Sequence, residues 1–104
     1  MLDTTFAALS DPTRRGILAL LAEREHSVGE LVEQFPITQS AVSRHLNVLE
    51  QATLIERRRD GQRRLCVLRS EALAEVDLWM ERYRRMWDGK MRRLDKALRK
   101  GKKR

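Results

Sequence analysis

The stretch TQSAVSRHLNVLE, from Thr38 to Glu50, decides the fold and poses the question of function. At about 100° per residue its apolar positions share one side, which predicts an amphipathic helix. Where an ordinary solvated helix favours Lys and Glu, the other side is built mainly from short hydrogen-bonding side chains. The outward residues are Gln39, Ser40, Ser43, Arg44, Asn47 and Glu50. His45 falls in the middle of the apolar side, so we expect a partly buried histidine that is hydrogen-bonded within the domain.

A second, shorter helix is predicted immediately before this one, in SVGELVEQF, residues 27–35. Ser27 and Glu30 have the spacing of a capping box, in which each side chain bonds a backbone N–H near the helix start. Pro36 disfavours helical geometry at the residue before it and so ends the helix. Thr38 supplies the oxygen that caps the next one. Two helices joined by so short a turn predict a helix-turn-helix unit.

The segment SDPTRRGILALLAE, residues 10–23, predicts a core helix ahead of this unit. Ser10 or Asp11 is the capping candidate, and Pro12 stands in the first helical turn, where no N–H is needed. A further short helical segment precedes it.

After the helix-turn-helix unit, LIERRRDGQRRLCVLR, residues 54–69, predicts a β-hairpin with an arginine-rich tip. Asp60-Gly61 is a strong turn signal, because both residue types tolerate the positive φ of tight hairpin turns. We expect its arginines to contact phosphates or the minor groove of a nucleic acid, although an exposed arm that aids solubility is the alternative. They are Arg57, Arg58, Arg59, Arg63 and Arg64.

From Glu71 to about Leu98 the pattern predicts one long helix with apolar residues spaced by three and four, close to a heptad seam. So long a seam favours pairing with a second copy of the chain. The seam residues are Leu73, Val76, Met80, Tyr83, Trp87, Met91, Leu94 and Leu98. Among the aromatics of this helix, core or dimer contacts are favoured over a ligand pocket or base stacking. Residues 99–104 are a basic stretch for which we predict disorder. The predicted organisation is thus residues 1–70 as a domain made of the N-terminal helices, the helix-turn-helix unit and the hairpin, 71–98 as the dimerisation helix of the same domain and 99–104 as a tail.

Composition supports a polyanionic partner. The 104 residues carry a net charge of +7, and residues 82–104 hold 12 basic residues against 2 acidic ones. Such an excess of positive charge favours binding to nucleic acid or to an anionic membrane surface. With one cysteine, no secretory signal and no apolar run of about 20 residues, we expect a cytoplasmic protein that does not span a membrane. For Cys66 we expect a packing role rather than a redox switch.

The outward face of the quoted helix has the chemistry of a major-groove reader. Base edges in that groove present donors and acceptors that Arg reads on guanine, Asn or Gln on adenine, and Ser on either. A solvated helix that happens to be rich in Ser and Gln is the alternative. We therefore predict that Thr38, Gln39, Ser40, Ser43, Arg44 and Asn47 contact double-stranded DNA.

The sequence as a whole resembles the ArsR-type winged helix-turn-helix transcriptional regulators over nearly its full length. The most specific match lies in QSAVSRHL, residues 39–46, with Leu49, and in the Asp60-Gly61 turn. The resemblance implies a mainly α fold, in the order α-α-α-α-β-β-α, with a small β-hairpin as the wing. It also implies a homodimer held by the terminal helices, the helix from Gln39 in the major groove of a palindromic operator, and action as a repressor.

Two departures from that family matter. Metal-sensing members use cysteines in the helix before the turn or Asp and His on the terminal helix, and here HSVGELVEQF lacks cysteine while residues 71–104 lack histidine. With only Cys66, His26 and His45 as soft or imidazole ligands, we expect no metal and no other cofactor. Thr53 stands where the family usually has a Gly to end the helix, so we expect a locally different exit into the wing.

Two rival functions stay open at this stage. A winged-helix module that dimerises and binds proteins rather than specific DNA would show acids or bulky apolar residues on the recognition face, and Glu50 alone leans that way. An enzyme is disfavoured, since no carboxylate pair, nucleophile with its base, or glycine-rich phosphate loop is present. The sequence does not identify the operator or any small-molecule effector.

Overall fold

The structure, a computed structural model, describes residues 2–102 and confirms the predicted mainly α architecture with one β-hairpin. Its elements are α1 (Leu2–Leu9), α2 (Pro12–Glu23), β1 (His26–Ser27), α3 (Val28–Gln34), α4 (Gln39–Gln51), β2 (Ile55–Asp60), β3 (Arg63–Leu68) and α5 (Glu71–Lys102). A first compact unit ends at Ala74 and a second begins at Glu75.

The three helices of the first unit that follow α1 begin where the caps predict. Asp11, rather than Ser10, caps α2 and accepts a hydrogen bond from the backbone N–H of Arg14 at 3.1 Å. Both bonds of the Ser27–Glu30 capping box are formed at 3.1 Å. Thr38 caps α4 by accepting from the backbone N–H of Ala41, also at 3.1 Å. Helix α4 thus starts at a fixed residue, and this sets which of its side chains point outward.

The core of the first unit is built from the apolar sides of these helices. Its largest fully buried apolar side chains come from α2, α3, α4 and the segment that leads into the hairpin: Ile17, Leu31, Val42, Leu46, Leu49 and Leu54. Cys66 of β3 is also fully buried, which confirms its packing role, and burial raises the pKa of its thiol. The outward side of α4 is left exposed by this packing.

A two-residue strand, β1, adds to the hairpin and was missed by the sequence prediction. The antiparallel sheet has the order β1-β3-β2, with His26 opposite Cys66 and Ser27 opposite Leu65. So short a strand carries no alternation of its own, and its pairing partner lies some 40 residues away in the sequence. It joins the beginning of α3 to the base of the wing.

The expectation of an altered exit from α4 at Thr53 is wrong. Thr53 adopts the left-handed conformation, with φ +57°, that the family's Gly would adopt. Its N–H donates to the carbonyl of Glu50 and that of Leu54 to the carbonyl of Leu49, both at 3.0 Å, which completes a Schellman motif. Leu49 and Leu54 are both fully buried, so their packing holds a β-branched residue in a conformation it disfavours.

The wing turn lies one residue later than the Asp60-Gly61 prediction placed it. Asp60 is the last residue of β2 and is paired with Arg63, so the two loop residues are Gly61 and Gln62. Gly61 has φ +65° and Gln62 has no positive φ, the pattern of a type II′ turn with Gly in its first central position.

Helix α5 is a single helix of 32 residues and extends beyond its predicted end near Leu98. The backbone is helical as far as Lys102, within the stretch 99–104 for which disorder is predicted, and the Arg99–Asp95 ion pair, at 3.1 Å, supports its last turns. Residues 103 and 104 lie outside the described residues. No helix within residues 2–102 combines the length and apolarity needed to cross a membrane.

Candidate nucleic-acid interface

The predicted recognition residues of α4 form one outward surface, which we call the reading face: Gln39, Ser40, Ser43, Arg44 and Asn47. All are exposed except Ser43, which is half-buried. Thr38, predicted with them, is exposed at the helix start, where its Oγ1 caps α4. Because that oxygen already accepts one hydrogen bond, Thr38 can offer an outside partner its hydroxyl proton and one remaining lone pair.

A groove of about 460 Å³ separates the reading face from the hairpin, which we call the wing. Gln39 and Ser43 line one side, and Arg57, Arg63 and Arg64 line another. Val28 and Gly29, at the beginning of α3, also line the groove. Hydrogen-bonding groups therefore face guanidinium groups across a channel that is open to solvent.

His45 lies on the inner side of α4, as predicted, and is hydrogen-bonded within the domain. Its Nδ1 is 3.2 Å from Nη1 of Arg14, which donates. Arg14 also donates to the carbonyls of Ala8 at 2.6 Å and Ala7 at 3.1 Å. Since His45 and Arg14 are 31 residues apart and carry no shared motif, no sequence signal could have paired them. Arg14 thus ties the end of α1 to α4 and helps to fix the orientation of the reading face.

Three of the five predicted wing arginines form ion pairs with acidic side chains. Arg58 lies 3.4 Å from Glu56, and Arg63 lies 3.4 Å from Glu30. Glu30 is a firm anion, because the backbone N–H of Ser27 and then the guanidinium of Arg24 lower its pKa to about 2. Arg57 turns back onto α4, where its Nε is 3.6 Å from Glu50. This pair neutralises the single acid on the outward side of α4.

Arg59 and Arg64 lie exposed near the tip of the wing, one pair before the last strand pair. They stand directly opposite each other across the two strands, and neither forms an ion pair with a residue from 2 to 102. Like charges in opposed positions of an antiparallel pair are destabilising. An anion bound at the tip would relieve this repulsion.

The predicted seam of α5 divides into two groups. Leu73 is partly buried against the core of the first unit, so the first turn of α5 belongs to that unit, and a role for Leu73 in the dimer interface stays a prediction. Val76 is half-buried. The remaining seam residues are exposed large apolar side chains: Met80, Tyr83, Trp87, Met91, Leu94 and Leu98. Trp79 and Met86 are further exposed apolar residues beside them, and the ring centroids of Trp79 and Tyr83 are 5.0 Å apart.

Potential metal ligands do not gather in the described part of the chain. Nowhere in residues 2–102 do three or more His, Cys, Asp or Glu side chains converge on a point that could hold a metal ion. His26 is instead buried, with Nδ1 2.9 Å from the carbonyl oxygen of Arg24.

A helix-turn-helix with an exposed polar reading helix and a basic hairpin defines a winged helix DNA-binding regulator. Residues 11–57 match the family model described as "Bacterial regulatory protein, arsR family". Two curated relatives are "Transcriptional repressor SdpR" of Bacillus subtilis and "HTH-type transcriptional regulator Rv2034" of Mycobacterium tuberculosis. The first is 39% identical over 79 residues, which cover 76% of this chain and 88% of that protein. The second is 40% identical over 81 residues, which cover 78% of this chain and 76% of that protein.

Solved structures give the same result. An ArsR-like transcriptional regulator from Rhodococcus sp. RHA1 superposes with a TM-score of 0.72 at 29% identity, over 92% of this chain and 91% of that one. The chain belongs to the arsR family of bacterial regulatory proteins. Its class is that of a transcriptional regulator and not an enzyme, as the sequence predicted.

Proposed function

We propose that the protein is a homodimeric repressor that binds a palindromic operator in cytoplasmic DNA, with the reading face in the major groove. Gln39, Ser40, Ser43 and Arg44 would contact base edges, and Arg44 suits a bidentate contact to guanine. The wing would contact the flanking phosphate backbone or minor groove. Two copies joined through α5 would address half-sites about one helical turn, ~34 Å, apart.

The observation that carries this proposal is the opposed pair Arg59 and Arg64 beside the reading face. The strand register places these two like-charged residues opposite each other, and neither forms an ion pair with an acid among residues 2–102. A phosphate backbone would compensate their charge and would release counterions on binding. The arrangement costs stability in the free protein and favours binding to a polyanion.

Selection of bound fragments from random double-stranded DNA tests the proposal. We expect an inverted repeat whose half-sites are centred about 10 base pairs apart. A protein that enriches no motif, or only a single half-site, would contradict the proposal. The first of these outcomes would favour the protein-binding module that the sequence left open.

Two substitutions then test the division of labour within the interface. Arg44→Ala should weaken binding to the selected operator by roughly 1–3 kcal/mol and relax the preference at one base pair. Arg59→Ala should weaken binding to operator and random DNA alike. It should also reduce the slope of the logarithm of affinity against the logarithm of salt concentration by about 1, as expected for one lost phosphate contact. Arg58→Ala serves as the matched control, because Arg58 is already paired with Glu56 and should have the smaller effect. Identical changes for Arg44→Ala and Arg59→Ala on both DNAs would refute separate roles.

A further inference from the structure

Arg57 joins the wing to the recognition helix. Its Nη2 donates a hydrogen bond to Oδ1 of Asn47, and its Nε lies 3.6 Å from Oε1 of Glu50. The Arg57 side chain is 24% exposed, whereas Arg58 and Arg63 are 57% and 61% exposed. Its Nε is buried and makes no hydrogen bond to a described residue. Arg57 is therefore placed against α4 rather than extended towards solvent.

This contact fixes the orientation of the Asn47 amide. A guanidinium group carries N–H donors and no acceptor, so only the carbonyl oxygen of the amide can face Arg57. The amide NH₂ then occupies the other position, on a side chain that is exposed on the reading face. Asn47 offers an incoming molecule two N–H donors, while one of the two lone pairs of its Oδ1 is engaged and the positive guanidinium group beside that oxygen disfavours the approach of a second donor.

The engaged acceptor changes which base Asn47 can recognise. An Asn that reads adenine uses both functions of its amide: it donates to N7 and accepts from the N6 amino group. Guanine presents acceptors at both N7 and O6, so it matches a group that only donates. We propose that Arg57 is a positioning residue that makes Asn47 a donor-only reader, with a preference for guanine over adenine at the base it contacts.

This inference rests on the proposed function, since it requires α4 to lie in the major groove. It reverses the general expectation, drawn from residue type alone, that Asn reads adenine. Arg57 also has a second effect that the experiment must separate. Without it, Glu50 would stand unneutralised on the side of α4 that approaches phosphates, and affinity for every sequence would fall. The ratio of affinities for two DNAs within one variant cancels that uniform loss.

The test uses the full-length protein and the operator that selection recovers. Every base pair of one half-site is substituted in turn, and binding by the unmodified protein and by Asn47→Ala identifies the position whose preference depends on Asn47. The ratio of affinities for guanine and adenine at that position is then measured for the unmodified protein, Arg57→Met and Arg58→Met. Arg58→Met is the matched control, since it removes a neighbouring wing charge that is paired with Glu56 and not with α4.

We expect the unmodified protein to favour guanine by roughly tenfold, within the range of one base contact. Arg57→Met should shift the ratio towards adenine by about tenfold, because the freed Oδ1 can accept from N6. Arg58→Met should lower both affinities and leave the ratio unchanged. Asn47→Asp supplies a second variant that keeps an acceptor for Arg57 and removes the donor, so it should lose the guanine preference even if Arg57→Met folds poorly.

Several results would overturn the inference. The first two are an adenine preference at the Asn47-dependent position and an unchanged ratio of guanine to adenine affinity in Arg57→Met. A third is a guanine preference that is retained in Asn47→Asp. The fourth is an Asn47→Ala variant that alters no base preference or weakens binding to all sequences equally. The last result would indicate a phosphate contact in place of base reading. If selection recovers no motif at all, the proposed function fails as well. A recovered motif without the predicted effect of Arg57 refutes this inference alone.

Discussion

The first unit of the chain buries its large apolar side chains, whereas the second unit exposes them. In the first unit, Ile17, Leu31 and Leu46 have no exposed surface. In the second, Trp87 is 63% exposed and Leu94 is 52% exposed, in a helix whose other side chains are largely charged. The first unit therefore completes its core within one chain, whereas α5 carries an apolar surface that only another surface can cover. We expect mutations in the first unit to change the stability of the fold, and mutations in α5 to change association.

Leu46→Ala should have the largest effect on stability. Leu46 is fully buried between the helices of the core, and removing such a side chain leaves a cavity that costs about 2–5 kcal/mol. Val48→Ala, on the same helix but exposed, should change the free energy of unfolding by less than about 0.5 kcal/mol. Urea denaturation measures both. Equal losses in the two variants would contradict the assignment of the core.

Trp87→Asp should weaken association by about 2–4 kcal/mol, since large aromatic side chains dominate interfaces of this kind. Leu78→Asp is the matched control, because Leu78 is 76% exposed and lies on the opposite side of α5 from the seam. Sedimentation across a range of protein concentrations should show dissociation for Trp87→Asp and none for Leu78→Asp. If both variants behave like the unmodified protein, the seam is not the dimer interface.

Thr53→Gly should raise stability by about 1 kcal/mol without changing association. Thr53 has φ +57°, a conformation that is strained for a β-branched residue, and the substitution removes this strain. Glycine loses more conformational entropy on folding than Thr, but we expect the relief of strain to be the larger contribution. Thermal unfolding at a fixed protein concentration measures the change. A lower melting temperature for Thr53→Gly would mean that the hydroxyl of Thr53, which donates to the carbonyl of Ala52 at 2.7 Å, outweighs the strain.

Glu30→Gln should give the smallest effect and one that depends on pH. The capping bond from Ser27 and the guanidinium of Arg24 lower the pKa of Glu30 from 4.5 to about 2. A lowered carboxyl pKa contributes stability that is complete above about pH 4.5 and is lost as the pH falls towards 2. The difference in melting temperature between the unmodified protein and Glu30→Gln should therefore shrink over that interval. A difference that stays constant with pH would refute the link to ionisation; Glu33→Gln, on the same helix, is the control.

What the sequence predicted well is encoded locally. The caps at Asp11, Ser27 and Thr38 act within three residues, and the amphipathic pattern of α4 follows from its own periodicity, so both could be identified without tertiary information. The same holds for the burial of His45. The position of the reading face is thus a property of a short segment.

What the sequence missed depends on contacts between distant segments. Strand β1 exists because β3 pairs with it, and Leu73 is partly buried because the core of the first unit reaches the first turn of α5. The orientation of the Asn47 amide depends on Arg57, ten residues away in another element. Residue types identified the interface, but the chemistry that each side chain presents follows from its neighbours in the fold.

The stoichiometry of the protein on its operator tests the proposed mode of action most directly. Sedimentation of the 12.2 kDa chain with a duplex that carries both half-sites should give a complex of two chains per duplex. A scrambled duplex of equal length should bind far more weakly at physiological salt. One chain per duplex, or equal affinity for the scrambled DNA, would contradict sequence-specific binding by a homodimer.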